Sequence, residues 1–311
     1  MSVGELSRPS LAQRLWIYQR ERFPLGKTSI LLAVFSAASL SVSAHLSRDG
    51  LPAFTTFAGA WVIVLILFFQ LRACDEIKDR DDDRRFRPER PIPRGLVSLR
   101  LIAGIGLAGV PFAAAIAAML DLALLVPLAL VWFWLALMTA EFFVPDWLKQ
   151  RPFLYLVSHM AIMPLIDLFE TACQWLPRHG APPAGLAWFL GLSFANGCVL
   201  ELGRKVWAPE NERRGVETYS GLLGAPRAAT LWAIAASAAF ALLIGTGSAT
   251  GSVIVDGGIG AVALTVLWAA ALRFARRPDV AGQKLIDSMA GAWVLICYAT
   301  AGFAPLIGAV R

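Results

Sequence analysis

A dense run of charged residues stands where a long apolar stretch ends. The segment CDEIKDRDDDRR occupies residues 74–85 and follows about twenty mostly hydrophobic residues. If the helix of that stretch continues at about 100° per residue, Asp79 lies about 40° and Asp83 about 80° from Asp75 around its axis. Asp82 lies about 20° to the other side of Asp75. The spacing therefore predicts four carboxylates on one helix face.

Carboxylates held this closely repel one another unless a cation binds between them. Mg²⁺ suits such a group because it prefers carboxylate oxygens, keeps several waters and is often completed by substrate phosphates. Basic side chains, which can bind phosphate oxygens, interleave with the acids and follow them. The predicted metal ligands here are Asp75, Asp79, Asp82 and Asp83, and the predicted phosphate-binding residues are Arg72, Lys78, Arg90 and Arg94. A solvated helix end rich in ion pairs is the alternative, and the regular i, i+4, i+8 spacing argues against it.

A second acidic cluster, ELGRKVWAPENERRGVETYS, occupies residues 201–220. Glu201 lies near the end of an apolar helix, where an ionisable side chain is costly and usually functional. Lys205 follows one turn later on the same face. Glu210 and Glu212 either bind metal or solubilise a loop. The predicted metal ligands of this cluster are Glu201, Glu210 and Glu212, and its predicted phosphate-binding residues are Arg204 and Lys205.

The elements that position these clusters are membrane spans. The chain has 311 residues, of which 57% are hydrophobic and 16% are charged, whereas soluble domains are about a quarter charged. A span needs about 20 mostly apolar residues. The predicted spans are 27–46, 51–71, 97–118, 122–142, 152–174, 182–203, 226–246, 251–272 and 284–308. We therefore expect an all-α, polytopic membrane protein with a short N-terminal segment, 1–26, and one nine-helix domain, 27–311.

The basic residues predict the orientation of this bundle. With a cytoplasmic N-terminus, all but three of the 28 Lys and Arg residues fall on the cytoplasmic side. The exceptions are Arg48, Arg178 and Arg311. Both acidic clusters are then cytoplasmic and the C-terminus lies opposite. The segment 1–26 is predicted to be an amphipathic interfacial helix or, alternatively, a solvated tail. The high pI of about 9.5 reflects the basic residues of the predicted cytoplasmic segments. It does not indicate nucleic-acid binding, since no nucleic-acid-reading module is recognisable.

Two acidic helix ends facing each other, with bases between them, would hold a diphosphate through magnesium above an apolar cavity. An isoprenyl diphosphate has that shape, because its head is charged and its tail is apolar. Three ionisable residues, His159, Asp167 and Glu170, lie within the fifth predicted span. They are predicted to line the cavity, where they accept a proton from a carbocation or orient an acceptor hydroxyl. Hydrogen bonding between helices is the structural alternative for each.

These motifs resemble those of the UbiA superfamily of intramembrane prenyltransferases. The similarity rests on DEIKDRDDD followed by RPIPRG at 90–95, on WLKQRP at 147–152 and on GVETYS at 215–220. It implies nine transmembrane helices with acidic motifs after helices two and six, and it adds Lys149 and Arg151 to the diphosphate-binding residues. The sequence departs from the family in having Asp75 where most members have Asn, and glutamates with a lysine where the second motif usually has aspartates.

The resemblance implies Mg²⁺-dependent ionisation of an isoprenyl diphosphate, with Asp75, Asp79, Asp83 and Glu201 as catalytic acids. The residue pattern of the first motif is most similar to that of the branch that includes membrane-bound terpene cyclases. This resemblance favours cyclisation. Transfer of the prenyl group to an aromatic or lipid acceptor is the second hypothesis. A transporter is the third, although its charged groups belong near the midplane in discontinuous helices. The expected partners are the substrate and the lipid bilayer, with no nucleic acid and no obligate protein partner.

Overall fold

The computed structural model describes residues 9–308. The first eight residues of the predicted N-terminal segment and Arg311 lie outside this range. Within it the chain forms helices joined by turns and by two longer loops, 87–98 and 205–218, and contains no strand. The helices are α1 (Leu11–Arg22), α2 (Leu25–Leu46), α3 (Phe54–Lys78), α4 (Arg80–Phe86), α5 (Leu99–Leu120), α6 (Leu125–Thr139), α7 (Pro145–Lys149), α8 (Pro152–Met160), α9 (Ile162–His179), α10 (Leu186–Arg204), α11 (Tyr219–Leu223), α12 (Ala225–Thr250), α13 (Val253–Arg276) and α14 (Val280–Gly308). Three 3₁₀ turns span Leu122–Leu124, Glu141–Phe143 and Pro209–Asn211.

Nine segments of the described chain are long and apolar enough to cross a bilayer, which confirms the predicted number. The fourth consists of Leu122–Thr139 and the fifth of α8 and α9 together, Pro152–His179. The other seven are α2, α3, α5, α10, α12, α13 and α14. The protein is therefore an all-α, multi-pass integral membrane protein. Its second span runs to Lys78, further than the predicted end at residue 71, so that the first acidic motif begins within that helix.

Small residues allow the helices to approach closely. A Cβ added to Gly203 of α10 would lie 2.5 Å from the Cβ of Ala290 on α14. A Cβ added to Gly302 of α14 would lie 2.5 Å from the Cα of Ala38 on α2. Close backbone contact at small residues is a principal source of helix association in membranes. It packs α14 against both α2 and α10, and α10 carries Glu201.

A layer of buried polar groups joins α9 to its neighbours. The Asp167 carboxylate accepts hydrogen bonds from the Ser39 hydroxyl at 2.6 Å and from the Tyr298 hydroxyl. Glu170 accepts one from the Ser36 hydroxyl at 3.2 Å. Both acidic side chains are fully buried. Of the roles predicted for Asp167 and Glu170, these contacts support hydrogen bonding between helices.

The turn that follows the fourth span has an unusual backbone. Glu141, Phe142 and Phe143 have φ angles of 47°, 53° and 61°, so three consecutive residues other than glycine are left-handed. Each such residue costs about 1–2 kcal/mol. The turn sets the Phe142 ring edge-on to Trp134 and to His159, with ring centroids 5.5 and 6.0 Å apart. Conformations of this kind tend to cluster at functional sites.

We expect Phe143→Gly to raise the thermal unfolding temperature in detergent. Its side chain is 78% exposed, so little packing is lost, and glycine removes the steric cost of a positive φ. Relief of the positive φ should gain about 1–2 kcal/mol, and the added chain entropy of glycine should cost about 0.5–1 kcal/mol, so the net gain is at most about 1.5 kcal/mol. The control is Phe112→Gly, at an exposed position inside α5, where glycine should destabilise by about 1 kcal/mol. Equal losses in the two variants would show that the turn carries no strain.

Candidate active site

The first acidic motif lies across the junction of α3 and α4. Asp79 interrupts the helix with φ −82° and ψ 5°. The Asp79 amide still donates to the Asp75 carbonyl at 2.9 Å, and the Asp83 amide donates to the Asp79 carbonyl at 2.7 Å. The predicted continuous helix is therefore wrong at one residue, while the one-turn spacing of the three aspartates persists.

The structure gives the four acids of this motif different surroundings. Asp83 is buried and accepts hydrogen bonds from Arg87 at 3.1 Å and from Arg90 at 2.7 Å. Asp82 is exposed, and Asp75 makes a long ion pair of 3.4 Å with Arg72. Within residues 9–308 no three His, Cys, Asp or Glu side chains converge on a common metal position. The set of metal ligands drawn from the sequence therefore stays a prediction.

Asp75 and Asp79 are the pair that best fits Mg²⁺. Burial raises the pKa of the Asp79 carboxyl above its ordinary value, and the neighbouring charge of Asp75 raises it further. A carboxylate that is partly shielded from water and repelled by a second one gains from a hard cation. Asp83 is instead neutralised by two guanidinium groups, so that it would have to exchange partners to bind a metal.

The second motif begins on α10 and continues into a loop. Glu201 and Lys205 form an ion pair of 2.8 Å across one helical turn. Glu212 accepts hydrogen bonds from the hydroxyls of Thr218 and Ser220, both at 2.7 Å. Glu210 is exposed. Glu201 remains the metal-ligand candidate of this motif, although it would have to share its carboxylate between Lys205 and the metal. Glu212 already orders the loop that leads into α11.

The two motifs meet at Tyr155 on α8. The Lys78 ammonium donates to the Tyr155 hydroxyl at 2.9 Å and lies 5.3 Å from the centre of its ring. The Lys205 ammonium lies 6.0 Å from the centre of the same ring. Burial lowers the pKa of Lys205, but Glu201 outweighs burial and, with a smaller contribution from Asp79, raises that pKa overall. Lys205 thus stays protonated while it faces both motifs.

Sequence reasoning did not identify Tyr155 as part of the site. A lone tyrosine in a span usually packs or anchors the helix at the interface. The available signals were its position three residues after the WLKQRP segment and four residues before His159. Neither signal specifies that lysines from two distant motifs approach its ring.

Four other predicted phosphate-binding residues have different surroundings. Arg94 pairs with Glu21 of α1 at 2.8 Å. The Arg151 guanidinium stacks 4.2 Å above the Trp147 ring. The other two, Lys149 and Arg204, are exposed. Of the predicted bases, the structure places only Lys78 and Lys205 against the Tyr155 ring.

A polar cleft of about 360 Å³ opens between the loops that follow α4 and α10. Its lining residues are Arg87, Glu89, Arg90, Trp207, Asn211, Arg213 and Gln283. Arg87 and Arg90 pair with Asp83, and Arg213 pairs with Glu89, so these groups together carry one excess positive charge. A larger apolar groove of about 640 Å³ lies between α13 and α14, and it shares no lining residue with the acidic motifs.

The fold has known counterparts although the sequence has none close to it. No family model matches the chain, and no curated protein matches it in sequence. A UbiA homologue from Aeropyrum pernix K1 is 19% identical and aligns over 90% of this chain and 98% of that chain, with a TM-score of 0.66. A digeranylgeranylglyceryl phosphate synthase is 13% identical and aligns over 96% of this chain and 99% of that chain, with a TM-score of 0.61. The protein therefore has the UbiA fold, which the motifs predicted.

Proposed function

We propose that this protein is an intramembrane enzyme that ionises an isoprenyl diphosphate. The observation that carries the proposal is the meeting of Lys78 and Lys205, one from each acidic motif, at the ring of Tyr155. Acids and bases gathered at the ends of α3 and α10 suit a diphosphate head, and the apolar spans suit its tail. The UbiA fold supports the same conclusion.

The protein's own residues favour loss of the diphosphate. Lys78 and Lys205 oppose the negative charge that grows on the leaving oxygen when the allylic C–O bond breaks and its electron pair departs with the diphosphate. The face of the Tyr155 ring that His159 does not cover can stabilise the allylic cation that remains. Asp75, Asp79 and Glu201 would hold Mg²⁺, which neutralises further diphosphate charge when bound.

Two outcomes compete for the cation. We propose cyclisation, in which double bonds of the substrate itself attack, because the first motif resembles that of the terpene cyclase branch. The second candidate is transfer of the prenyl group to an acceptor. It is favoured by the fold shared with a digeranylgeranylglyceryl phosphate synthase.

One assay separates these activities. The purified protein is incubated with Mg²⁺ and ten-, fifteen- or twenty-carbon prenyl diphosphates in the absence of an acceptor, and the organic phase is extracted. A cyclic hydrocarbon or alcohol would support cyclisation. Diphosphate release that requires an added aromatic or lipid acceptor would support transfer. Absence of turnover under both conditions would contradict the enzyme proposal and favour transport.

We also propose that the site opens to the cytoplasm. The distribution of basic residues supports this orientation, and it predicts that the chain beyond α14 lies on the opposite side. Alkaline phosphatase, which is active only outside the cytoplasm, should be active when fused after Ile307 and inactive when fused after Arg204. The reverse result would place the acidic motifs on the outer face.

A further inference from the structure

Every outcome of the proposed reaction releases one proton. The allylic C–O bond breaks and its electrons leave with the diphosphate, and an alkene, an aromatic ring or a hydroxyl then supplies the pair for the new bond. In each case a C–H or O–H bond finally breaks, its electrons stay in the product and its proton departs. A water-poor site needs a base to take that proton, and such a group typically contributes about 10²–10⁴-fold to the rate.

His159 offers an uncommitted lone pair beside the site. Its Nδ1 lies 2.9 Å from the carbonyl oxygen of Tyr155. A carbonyl oxygen only accepts hydrogen bonds, so Nδ1 carries the proton and Nε2 carries the lone pair. The side chain is 4% exposed. Within residues 9–308, Nε2 has no hydrogen-bond partner. A buried acceptor without a partner is costly and therefore needs an explanation.

The His159 ring is one ring away from the lysines of the two motifs. It stacks on Tyr155 with centroids 3.8 Å apart and an interplanar angle of 11°. Lys78 and Lys205 approach that same tyrosine ring. The strained turn holds Phe142 edge-on to His159, with ring centroids 6.0 Å apart. The imidazole is thus fixed one ring away from Lys78 and Lys205, which bind the diphosphate head in the proposed function.

Neighbouring acids are less suited to this role. Asp167 already accepts hydrogen bonds from Ser39 and Tyr298, and it lies about 18 Å further along the span than Tyr155, at 1.5 Å per residue. Glu170 lies one turn deeper still. Glu201 is held in its ion pair with Lys205.

We propose that His159 Nε2 accepts the proton released when the carbocation is captured. The inference rests on the proposed function and adds a base to it. As the proton arrives, the Nδ1–H bond to the Tyr155 carbonyl stabilises the imidazolium. Lys78 and Lys205 oppose a lasting positive charge on the ring, so the proton passes on to the departing diphosphate and Nε2 is restored.

The test compares His159→Phe and His159→Asn with the unaltered protein. Phenylalanine keeps a ring that stacks on Tyr155, and asparagine keeps a donor near the Tyr155 carbonyl, but both lack the basic Nε2. Ionisation needs no base, so diphosphate release should stay close to the unaltered rate in both variants. The yield of cyclic or transferred product, per diphosphate released, should fall by about 10²-fold. Capture of the cation by water should replace it and give the linear prenyl alcohol, whose oxonium precursor passes its O–H proton to further water or to the diphosphate.

Other results would overturn the inference. An unchanged product pattern in both variants would mean that another group, such as the diphosphate itself, takes the proton. A parallel fall in diphosphate release and product would indicate a structural role. Added imidazole should restore the product ratio of His159→Ala, and failure to do so in a folded variant also counts against the proposal. If the unaltered protein releases no diphosphate, the proposed function fails first, and that outcome is distinct from the others.

Discussion

Asp79→Ala is expected to lower diphosphate release by at least about 10²-fold while the protein remains folded in detergent. Asp79 is the partly buried acid at the break between α3 and α4, beside Asp75 and within electrostatic range of Lys205. Its removal takes one carboxylate from the pair that best fits Mg²⁺ and reduces the negative charge that faces Lys205. Diphosphate release with a prenyl diphosphate measures the effect, and thermal unfolding reports on the fold.

The matched control is Asp81→Ala, which removes an exposed acid from the first turn of α4. It should leave diphosphate release close to that of the unaltered protein, because Asp81 is not among the predicted metal ligands of the first motif. Asp83→Ala is also expected to abolish turnover. That variant additionally leaves Arg87 and Arg90 without their shared carboxylate. Full activity in both Asp79→Ala and Asp83→Ala would remove the roles assigned to the first motif.

Asp167→Ala is expected to destabilise the bundle. The change leaves the buried hydroxyls of Ser39 and Tyr298 without their acceptor. Hydrogen bonds between membrane helices are worth about 0.6–1.7 kcal/mol each, so the loss should be about 1–3 kcal/mol. Thermal unfolding in detergent measures it.

Two controls separate lost hydrogen bonds from lost charge. Asp167→Asn keeps an acceptor oxygen and should lose less than Asp167→Ala. Glu170→Gln keeps an acceptor for Ser36, the one hydrogen bond that Glu170 makes within the described chain, and should change stability little. An unfolding temperature unaltered by Asp167→Ala would show that this layer does not hold α9 against α2 and α14.

Local features of the sequence were enough to predict the number of spans and the UbiA fold. A span is recognisable because its side chains face lipid or other apolar residues along about 20 consecutive positions. The one-turn spacing of Asp75, Asp79 and Asp83 was likewise readable, since it depends only on the helical repeat. The same local pattern could not show that Asp83 is neutralised by Arg87 and Arg90.

Contacts between residues distant in sequence defined the rest of the site. Tyr155 belongs to the candidate site because Lys78 and Lys205, which lie at the ends of different spans, both approach its ring. The sequence pattern likewise gave no sign that His159 Nε2 would lack a partner within the described residues, or that the turn at Phe142 would be left-handed. Hydrophobic periodicity specifies which segments enter the membrane, but the rotation of each helix depends on side-chain packing against all of its neighbours. The arrangement of the candidate site therefore forms only when the nine spans of the described chain have packed together.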